Sequence, residues 1–302
     1  MKPVSIIESP SNLGLVMPEP GHEPGVKKLP AFLKSFGFYD KINTTKISPT
    51  SVPDYDGTVD KITGVRNRDE IMRYMLTQEV VLNEHLDAGF FPVVVGGDCS
   101  ILIGNMYTLK KRGRYGVFYL DGHTDYVLPA QSTTAGVAGM DLALIAGLGH
   151  DMLTDLHNRK PYVEEHHIWC VGNREYDTAY LRPLLQSRIQ YYDLMRLRKA
   201  GMERCTEHFF RMIEEENLDG FWIHFDVDVL NNRIMPAVDS PADDGLEYKE
   251  LARLLLPLLR HPRATGIEIT ILDPELDPEG TYTRPFVDEL SAIMNKAAGV
   301  KF

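Results

Sequence analysis

The fold follows from Tyr115-Gly116-Val117-Phe118-Tyr119-Leu120-Asp121-Gly122-His123-Thr124-Asp125, in which an apolar run leads into two carboxylates and an imidazole. The run predicts a buried strand, and open α/β sheets place their sites at the carboxyl ends of strands. Because alternate residues of an extended segment share a face, we expect Asp121, His123 and Asp125 to converge. Without a cation these groups would repel one another or stay unpaired. The alternative is an ordinary surface loop.

Two further stretches favour the metal site over the loop. Trp222–Asp228 is an apolar strand that ends in two carboxylates, and Val93–Ser100 ends in a glycine turn, an acid and a thiol. The candidate ligands are therefore Cys99, Asp121, His123, Asp125, Asp226 and Asp228. This set is too large for one tetrahedral ion. It suits two divalent cations with a shared water, as in two-metal hydrolases.

Composition excludes several classes of protein. The 302 residues are 43% hydrophobic and 25% charged, which is typical of a soluble globular chain. A formal net charge of −11 argues against a nucleic acid or an anionic membrane as partner. We expect neither a membrane span nor a secretory signal, because no apolar run is long enough for a span and no signal-type apolar region follows the N-terminus. Three scattered cysteines make no disulfide framework, so we expect a cytoplasmic protein.

Strand and helix patterns alternate along the chain. We predict strands at Pro3–Ile7, Phe91–Val95, Tyr115–Leu120, His166–Val171, Ile189–Tyr192, Gly220–Asp228 and Ala264–Leu272, with an edge strand or irregular segment in Lys41–Asp60. We predict helices at Gly25–Phe36, Asn67–Ala88, Ser100–Arg112, Asp141–Gly149, Met202–Asn217, Leu246–Arg260 and Pro285–Ala298. We expect the segment Glu8–Gly21 to be a plain connecting loop; the alternative is that it borders the active site, because it follows a strand. This order favours an α/β fold with three αβα layers and a mainly parallel sheet of about eight strands, in a single domain over residues 1–302.

Three ordered motifs resemble those of the ureohydrolases, the family of arginase, agmatinase and formimidoylglutamase. The family motifs are Gly-Gly-Asp-His-Ser, Asp-Ala-His-x-Asp and Ser-x-Asp-x-Asp. Here the corresponding stretches are Gly96–Ser100, Asp121–Asp125 and His224–Asp228, and the resemblance runs from about Phe91 to the C-terminus. It implies an arginase-like fold that binds two divalent ions, manganese before others, and hydrolyses a C–N bond of a small guanidino or amidine compound. It also implies a homo-oligomer, either a trimer or a hexamer.

The resemblance assigns roles to individual residues. The metal ligands would be Cys99, Asp121, His123, Asp125, Asp226 and Asp228. Asp125 would also be catalytic, because it would orient the attacking water. Cys99 stands where the family has histidine, and a thiolate favours zinc, nickel or iron over manganese.

Other positions depart from the family pattern. Of the residues that match the arginase loop for the substrate carboxylate, only Thr134 keeps a hydroxyl, and Ala138 replaces the loop histidine. Asp177 matches a family aspartate that contacts the substrate amine, so Thr134 and Asp177 are the predicted substrate-binding residues. Ile271 stands where the family has a guanidinium-binding glutamate. We therefore expect a substrate other than plain arginine. The alternative is a catalytically impaired ureohydrolase-like subunit with a structural or regulatory role.

Overall fold

The structure is a computed structural model that describes residues 2–299. Its strands are β1 (Val4–Glu8), β2 (Lys46–Pro49), β3 (Phe91–Val95), β4 (Tyr115–Leu120), β5 (Ile168–Val171), β6 (Gln190–Tyr192), β7 (Gly220–Asp226) and β8 (Ala264–Thr270). They form one sheet in the order β2-β1-β3-β8-β7-β4-β5-β6, and every pairing between these strands is parallel. The predicted α/β class and the eight-stranded sheet are confirmed. The single-domain extent over residues 1–302 stays a prediction.

Helices cover both faces of the sheet. Within residues 2–299 the α-helices are α1 (Leu29–Ser35), α2 (Phe38–Lys41), α3 (Arg68–Asp87), α4 (Ile101–Arg112), α5 (Asp141–Ile145), α6 (Asp151–Thr154), α7 (Thr178–Gln186), α8 (Leu194–Ala200), α9 (Met202–Glu215), α10 (Tyr248–Arg260) and α11 (Thr283–Ala298). The prediction missed α2, α6, α7 and α8. In α7 the internal Pro183 hides the helical pattern, because proline is unfavourable inside a helix. None of the described helices is long and apolar enough to cross a membrane.

Strand side chains alternate between two hydrophobic cores. Val93 and Val95 pack into the core beneath α9, α10 and α11, whereas Val94 packs into the core beneath α3 and α4. On β4, Phe118 and Tyr119 divide in the same way. This alternation is the period of two expected of a strand covered on both faces. Each such buried side chain contributes roughly 1.5–3 kcal/mol, so the central strands are firmly held.

The turn after β3 fixes the first candidate ligand. A β-carbon at Gly97 would lie 1.7 Å from the backbone oxygen of Ser11, so only glycine fits there. Asp98 then accepts hydrogen bonds from the hydroxyl of Ser11 and from the backbone N–H of Ser100, both at 2.8 Å. Asp98 is thus an anchor of the turn, and it sets the position of Cys99 immediately before α4.

Candidate metal centre

Neighbouring strands at the middle of the sheet deliver the candidate ligands to one edge. Cys99 follows β3, Asp121 follows β4, and Asp226 ends β7. β8 lies between β3 and β7, and its Thr270 is in register with Asp226. The Thr270 hydroxyl lies 3.2 Å from the sulfur of Cys99. Since all of these strands run in parallel, their carboxyl ends meet where α/β proteins place their sites.

Cys99, Asp121, His224 and Asp226 form what we call the inner group. Their ligand atoms all lie within 4.8 Å of one another, and no member is more than 2% exposed. The Cys99 thiol donates a hydrogen bond of 2.7 Å to Oδ2 of Asp226. Burial, reinforced by Asp226, raises the pKa of the thiol well above its usual value. Burial and the charge of Asp228 likewise raise the pKa of Asp226.

Asp121, His123 and Asp228 form the outer group, whose ligand atoms also lie within 4.8 Å of one another. Nδ1 of His123 is 2.8 Å from Oδ2 of Asp228, and the backbone N–H of Gly122 donates to Oδ1 of Asp228 at 3.0 Å. Burial disfavours a charged imidazole, but Asp228 and Asp121 outweigh it and raise the pKa of His123 to about 11. Asp121 belongs to both groups, so the two potential ion positions are adjacent.

Members of both groups, including Cys99 and His123, line one pocket at this edge of the sheet. Asp125 lines the same pocket but lies outside both groups. Its backbone has a φ of +44°, in the left-handed region that aspartate tolerates better than most residues. Its Oδ2 lies 2.9 Å from the hydroxyl of Tyr119, which is also 2.9 Å from Oδ1 of Asp141. Burial, together with the charges of Asp121 and Asp141, raises the pKa of Asp125. The tyrosine therefore holds the carboxylate of Asp125 in one orientation beside the ligands.

Several buried polar atoms of this cluster find no hydrogen-bond partner within residues 2–299. They are Oδ2 of Asp121, Oδ2 of Asp141 and Nε2 of His224. Buried polar atoms normally have a partner, so these atoms require an explanation. Nε2 of His224 and Oδ2 of Asp121 are 3.6 Å apart, which is too long for a hydrogen bond. Thiol, imidazole and carboxylate donors suit divalent cations such as zinc, iron and manganese. The residues therefore fit the metal ions that the resemblance implies.

Contacts from neighbouring loops hold the segment after β4. The backbone N–H and the hydroxyl of Thr124 donate to Oε2 of Glu175 at 2.8 and 2.6 Å. Nη2 of Arg174 donates to the backbone oxygen of Asp228 at 2.7 Å. A β-carbon at Gly122 would lie 2.7 Å from Oδ1 of Asp228, so the two loops approach each other closely here. The ligand-bearing loops are thus braced against each other.

The two predicted substrate-binding residues lie apart from the pocket lining. Oγ1 of Thr134 accepts from the backbone N–H of Gly136 at 3.2 Å, and the side chain is exposed. Asp177 caps the start of α7 by accepting from the backbone N–H groups of Ala179 and Tyr180 at 2.8 and 2.9 Å. A substrate role for either residue stays a prediction.

Sequence reasoning missed other residues of the pocket. Leu15 lines it, so Glu8–Gly21 borders the pocket, which was the alternative to a plain connector. Glu175 and Asp239 also line it and add negative charge. His224 was not among the predicted ligands. The signal was in the third motif, where His224 stands at the serine of the family pattern.

An all-parallel αβα sheet with acidic side chains at the ends of its central strands is the arrangement expected of a ureohydrolase. The model of the Arginase family matches residues 3–291. The arginase of Bacillus caldovelox is 26% identical over 284 residues, which are 92% of this chain and 93% of that protein. The arginase of Brevibacillus brevis is 28% identical over 226 residues, covering 74% and 76% of the two chains. The solved native B. caldovelox structure matches with a TM-score of 0.86 at 24% identity, covering 97% and 98%. The chain belongs to the arginase family.

Proposed function

We propose that the chain is a binuclear metal-dependent hydrolase of a linear guanidino or amidine compound. It cleaves a C–N bond and releases urea, or a urea-like product, and an amine. The observation that carries the proposal is the shared carboxylate: Asp121 belongs to both the inner and the outer group. Two adjacent cations around one carboxylate are the arrangement of two-metal hydrolases. Membership of the arginase family supports the same chemistry.

Each residue of the pocket has its own role in the proposed reaction. When bound, the pair of divalent ions would lower the pKa of water and offset the negative charge of the attacking oxygen. Asp125 orients the attacking water and takes up its proton at a carboxylate oxygen. Tyr119 keeps that carboxylate in position through its hydrogen bond of 2.9 Å. Asp121, Asp226 and Asp228 hold the ions as oxygen donors, and Cys99 and His123 supply sulfur and nitrogen.

The lining of the pocket favours a substrate other than plain arginine. Glu175 and Asp239 make it acidic and favour a cationic ligand. Ile271 nevertheless presents an apolar side chain where the family has a carboxylate for the guanidinium group. A less basic reacting group, such as a hydroxylated guanidine, needs that carboxylate less. Manganese remains the first metal to test, with zinc, nickel and iron next because of Cys99.

The experiment combines metal analysis with a screen for product release. The purified chain is loaded with manganese, zinc, nickel or iron and assayed with arginine, hydroxyarginine, agmatine, guanidinobutyrate and formiminoglutamate. We expect about two ions per chain and release of urea or its analogue from at least one compound. Absence of both ions and turnover would support the impaired-subunit alternative. Bound ions without turnover of any of the five compounds would reject this substrate class.

Assembly and location complete the proposal. We propose that the chain forms a homo-oligomer, either a trimer or a hexamer, and light scattering on the purified chain would measure its mass.

We propose that the protein is located in the cytoplasm, because Cys99, Cys170 and Cys205 are free and buried and make no disulfide. With its net charge of −11 the chain favours a small-molecule ligand over nucleic acid.

A further inference from the structure

We infer that His224 is a direct ligand of the inner ion and that Glu268 orients it for that role. The family has a histidine at the position of Cys99, after β3. In this chain His224 on β7 would supply the imidazole instead. The inference rests on the proposed function and adds a ligand and a metal preference to the same site.

The sheet register places His224 in a row of buried side chains. It is in register with Tyr119 on β4 and with Glu268 on β8. His224 is 0% exposed, and its ring stacks on that of Tyr119 with the centroids 4.3 Å apart and the planes 10° apart. The ring therefore has one orientation, with one nitrogen toward Glu268 and the other toward the strand tips.

Glu268 determines which nitrogen carries the hydrogen. Nδ1 of His224 is 2.5 Å from Oε1 of Glu268, and a carboxylate accepts, so the Nδ1–H donates. The other carboxylate oxygen accepts from Nε1–H of Trp222 at 3.0 Å and from the amide of Asn105 at 2.5 Å. Histidines that bind metals almost always donate their other N–H to a carboxylate, a backbone carbonyl or a water. Glu268 thus leaves Nε2 as the nitrogen available to an ion.

Nε2 of His224 faces the other three members of the inner group. It finds no hydrogen-bond partner within the described residues, and neither does Oδ2 of Asp121, 3.6 Å away. Cys99 and Asp226 complete the set, with ligand atoms within 4.8 Å of one another. The competing explanation is an imidazolium that forms an ion pair with Asp121: burial opposes the charged ring, but Asp121 and Glu268 raise the pKa of His224. At 3.6 Å, however, that pair lacks a hydrogen bond. One cation among these atoms would satisfy both unpartnered atoms at once.

The donor set indicates the class of ion. A thiol, an imidazole and carboxylates are the ligands of zinc sites, and sulfur selects softer ions than manganese. The outer group contributes only carboxylates and the imidazole of His123. We therefore assign zinc, or a similar ion, to the inner group, with a harder ion tolerated in the outer group.

The first test compares zinc affinities, measured in the full chain by competition with a chelator. His224→Gln is expected to lose more than about 100-fold and Glu268→Gln about 10–100-fold, the range of outer-shell partners. The control is His85→Gln. His85 is also 0% exposed, but its nitrogens lie 2.7 Å from the hydroxyl of Ser5 and 2.9 Å from that of Ser48, so zinc affinity should not change. Parental affinity in a folded His224→Gln chain would overturn the inference.

The second test identifies the ligand without altering His224. X-ray absorption at the zinc edge is recorded on a His123→Ala, His166→Ala chain with one equivalent of zinc. The second substitution removes a separate group of His166, His167 and Glu216. We expect sulfur at about 2.3 Å together with imidazole nitrogen at about 2.0–2.1 Å. A spectrum with sulfur but without imidazole would overturn the inference about His224 and leave the proposed function standing. Failure of the parent chain to bind any divalent ion overturns the proposed function with it.

Discussion

The inner and outer groups share Asp121, yet their other members are satisfied in different ways. In the outer group His123 and Asp228 pair with each other, and the side chain of His123 is 26% exposed. In the inner group every member is within 2% of full burial, and Nε2 of His224 lacks a partner among the described residues. In the outer group a proton shared by His123 and Asp228 thus offsets the negative charge. In the inner group a metal cation would give Nε2 of His224 the partner that it lacks.

This difference has an energetic consequence. Each unsatisfied buried polar atom costs about 1–3 kcal/mol, so an ion that reaches the inner group relieves a cost already present. In either group an ion must replace one existing contact, that of His123 with Asp228 in the outer group and that of Cys99 with Asp226 in the inner group. Only the inner group also contains the unpartnered Nε2 of His224. We therefore expect the inner group to fill first and to bind more tightly. The predictions that follow test whether the two groups are separable in this way.

The largest effect is expected at Asp125, which lines the pocket but belongs to neither group. Asp125→Asn keeps the shape and the contact with Tyr119 but cannot take up a proton. Loss of general-base catalysis costs about 10²–10⁴-fold, so we expect turnover to fall by roughly 10³-fold while metal content and melting temperature stay close to parental. Asp177→Asn is the matched control, because Asp177 is an exposed helix cap. Parental turnover in Asp125→Asn would refute the catalytic assignment.

Metal content should separate the shared carboxylate from an unshared one. Asp121→Asn removes a ligand of both groups, so both ions should be lost. Asp228→Asn alters the outer group alone, so about one ion per chain should remain. Elemental analysis after dialysis against metal-free buffer measures this difference. Equal losses in the two variants would show that the groups act as one site.

A smaller effect is expected on metal selectivity. Cys99→Ser replaces sulfur with a harder oxygen, so zinc affinity should fall by at least about tenfold while manganese affinity changes little. Cys170→Ser is the matched control. Cys170 is also 0% exposed and accepts from the amide of Asn173 at 3.3 Å, but it belongs to neither group. The ratio of zinc to manganese affinity, from competition titrations, should change only in Cys99→Ser. Unchanged selectivity there would mean that the thiol is not a ligand.

The fold was accessible from the sequence because the strands are buried on both faces. Apolar runs such as Val93–Val95 and Tyr115–Leu120 predict parallel strands, and their order predicts the layers. The short helices α2, α6, α7 and α8 were missed, because they lack a long apolar period and α7 also contains Pro183. Local patterns do not reveal a helix that is stabilised mainly by its tertiary contacts.

The site was only partly accessible. The motifs predicted the residues at strand ends, because alternate residues of an extended segment lie on the same face. They could not show the row formed by Tyr119, His224 and Glu268, because a row across three strands depends on register between segments far apart in sequence. Glu268 in particular reads as an isolated acid within an apolar strand. Its partners Trp222 and Asn105 come from other elements, so only the assembled sheet explains it.

The smallest effect tests whether the loop contacts of the outer group act on that group alone. Glu175→Gln keeps one acceptor for Thr124 but removes the charge from two hydrogen bonds. We expect a loss of about 1 kcal/mol in the free energy of unfolding, since charged hydrogen bonds exceed neutral ones by about that much. We also expect affinity for the outer ion to fall by less than about tenfold, within what that energy allows.

Glu165→Gln provides the control for this change. Glu165 accepts from the hydroxyl of Tyr126 at 2.7 Å and the backbone N–H of Arg188 at 3.1 Å, away from both groups. It should lower stability without altering either ion. Glu175→Gln should weaken the outer ion and leave the inner one unchanged, because Thr124, which Glu175 holds, is next to His123 of the outer group, whereas His224 and Asp226 of the inner group lie on β7. If the inner ion weakened equally, Asp121 would transmit the disturbance, and the two groups would have to be treated as one coupled centre.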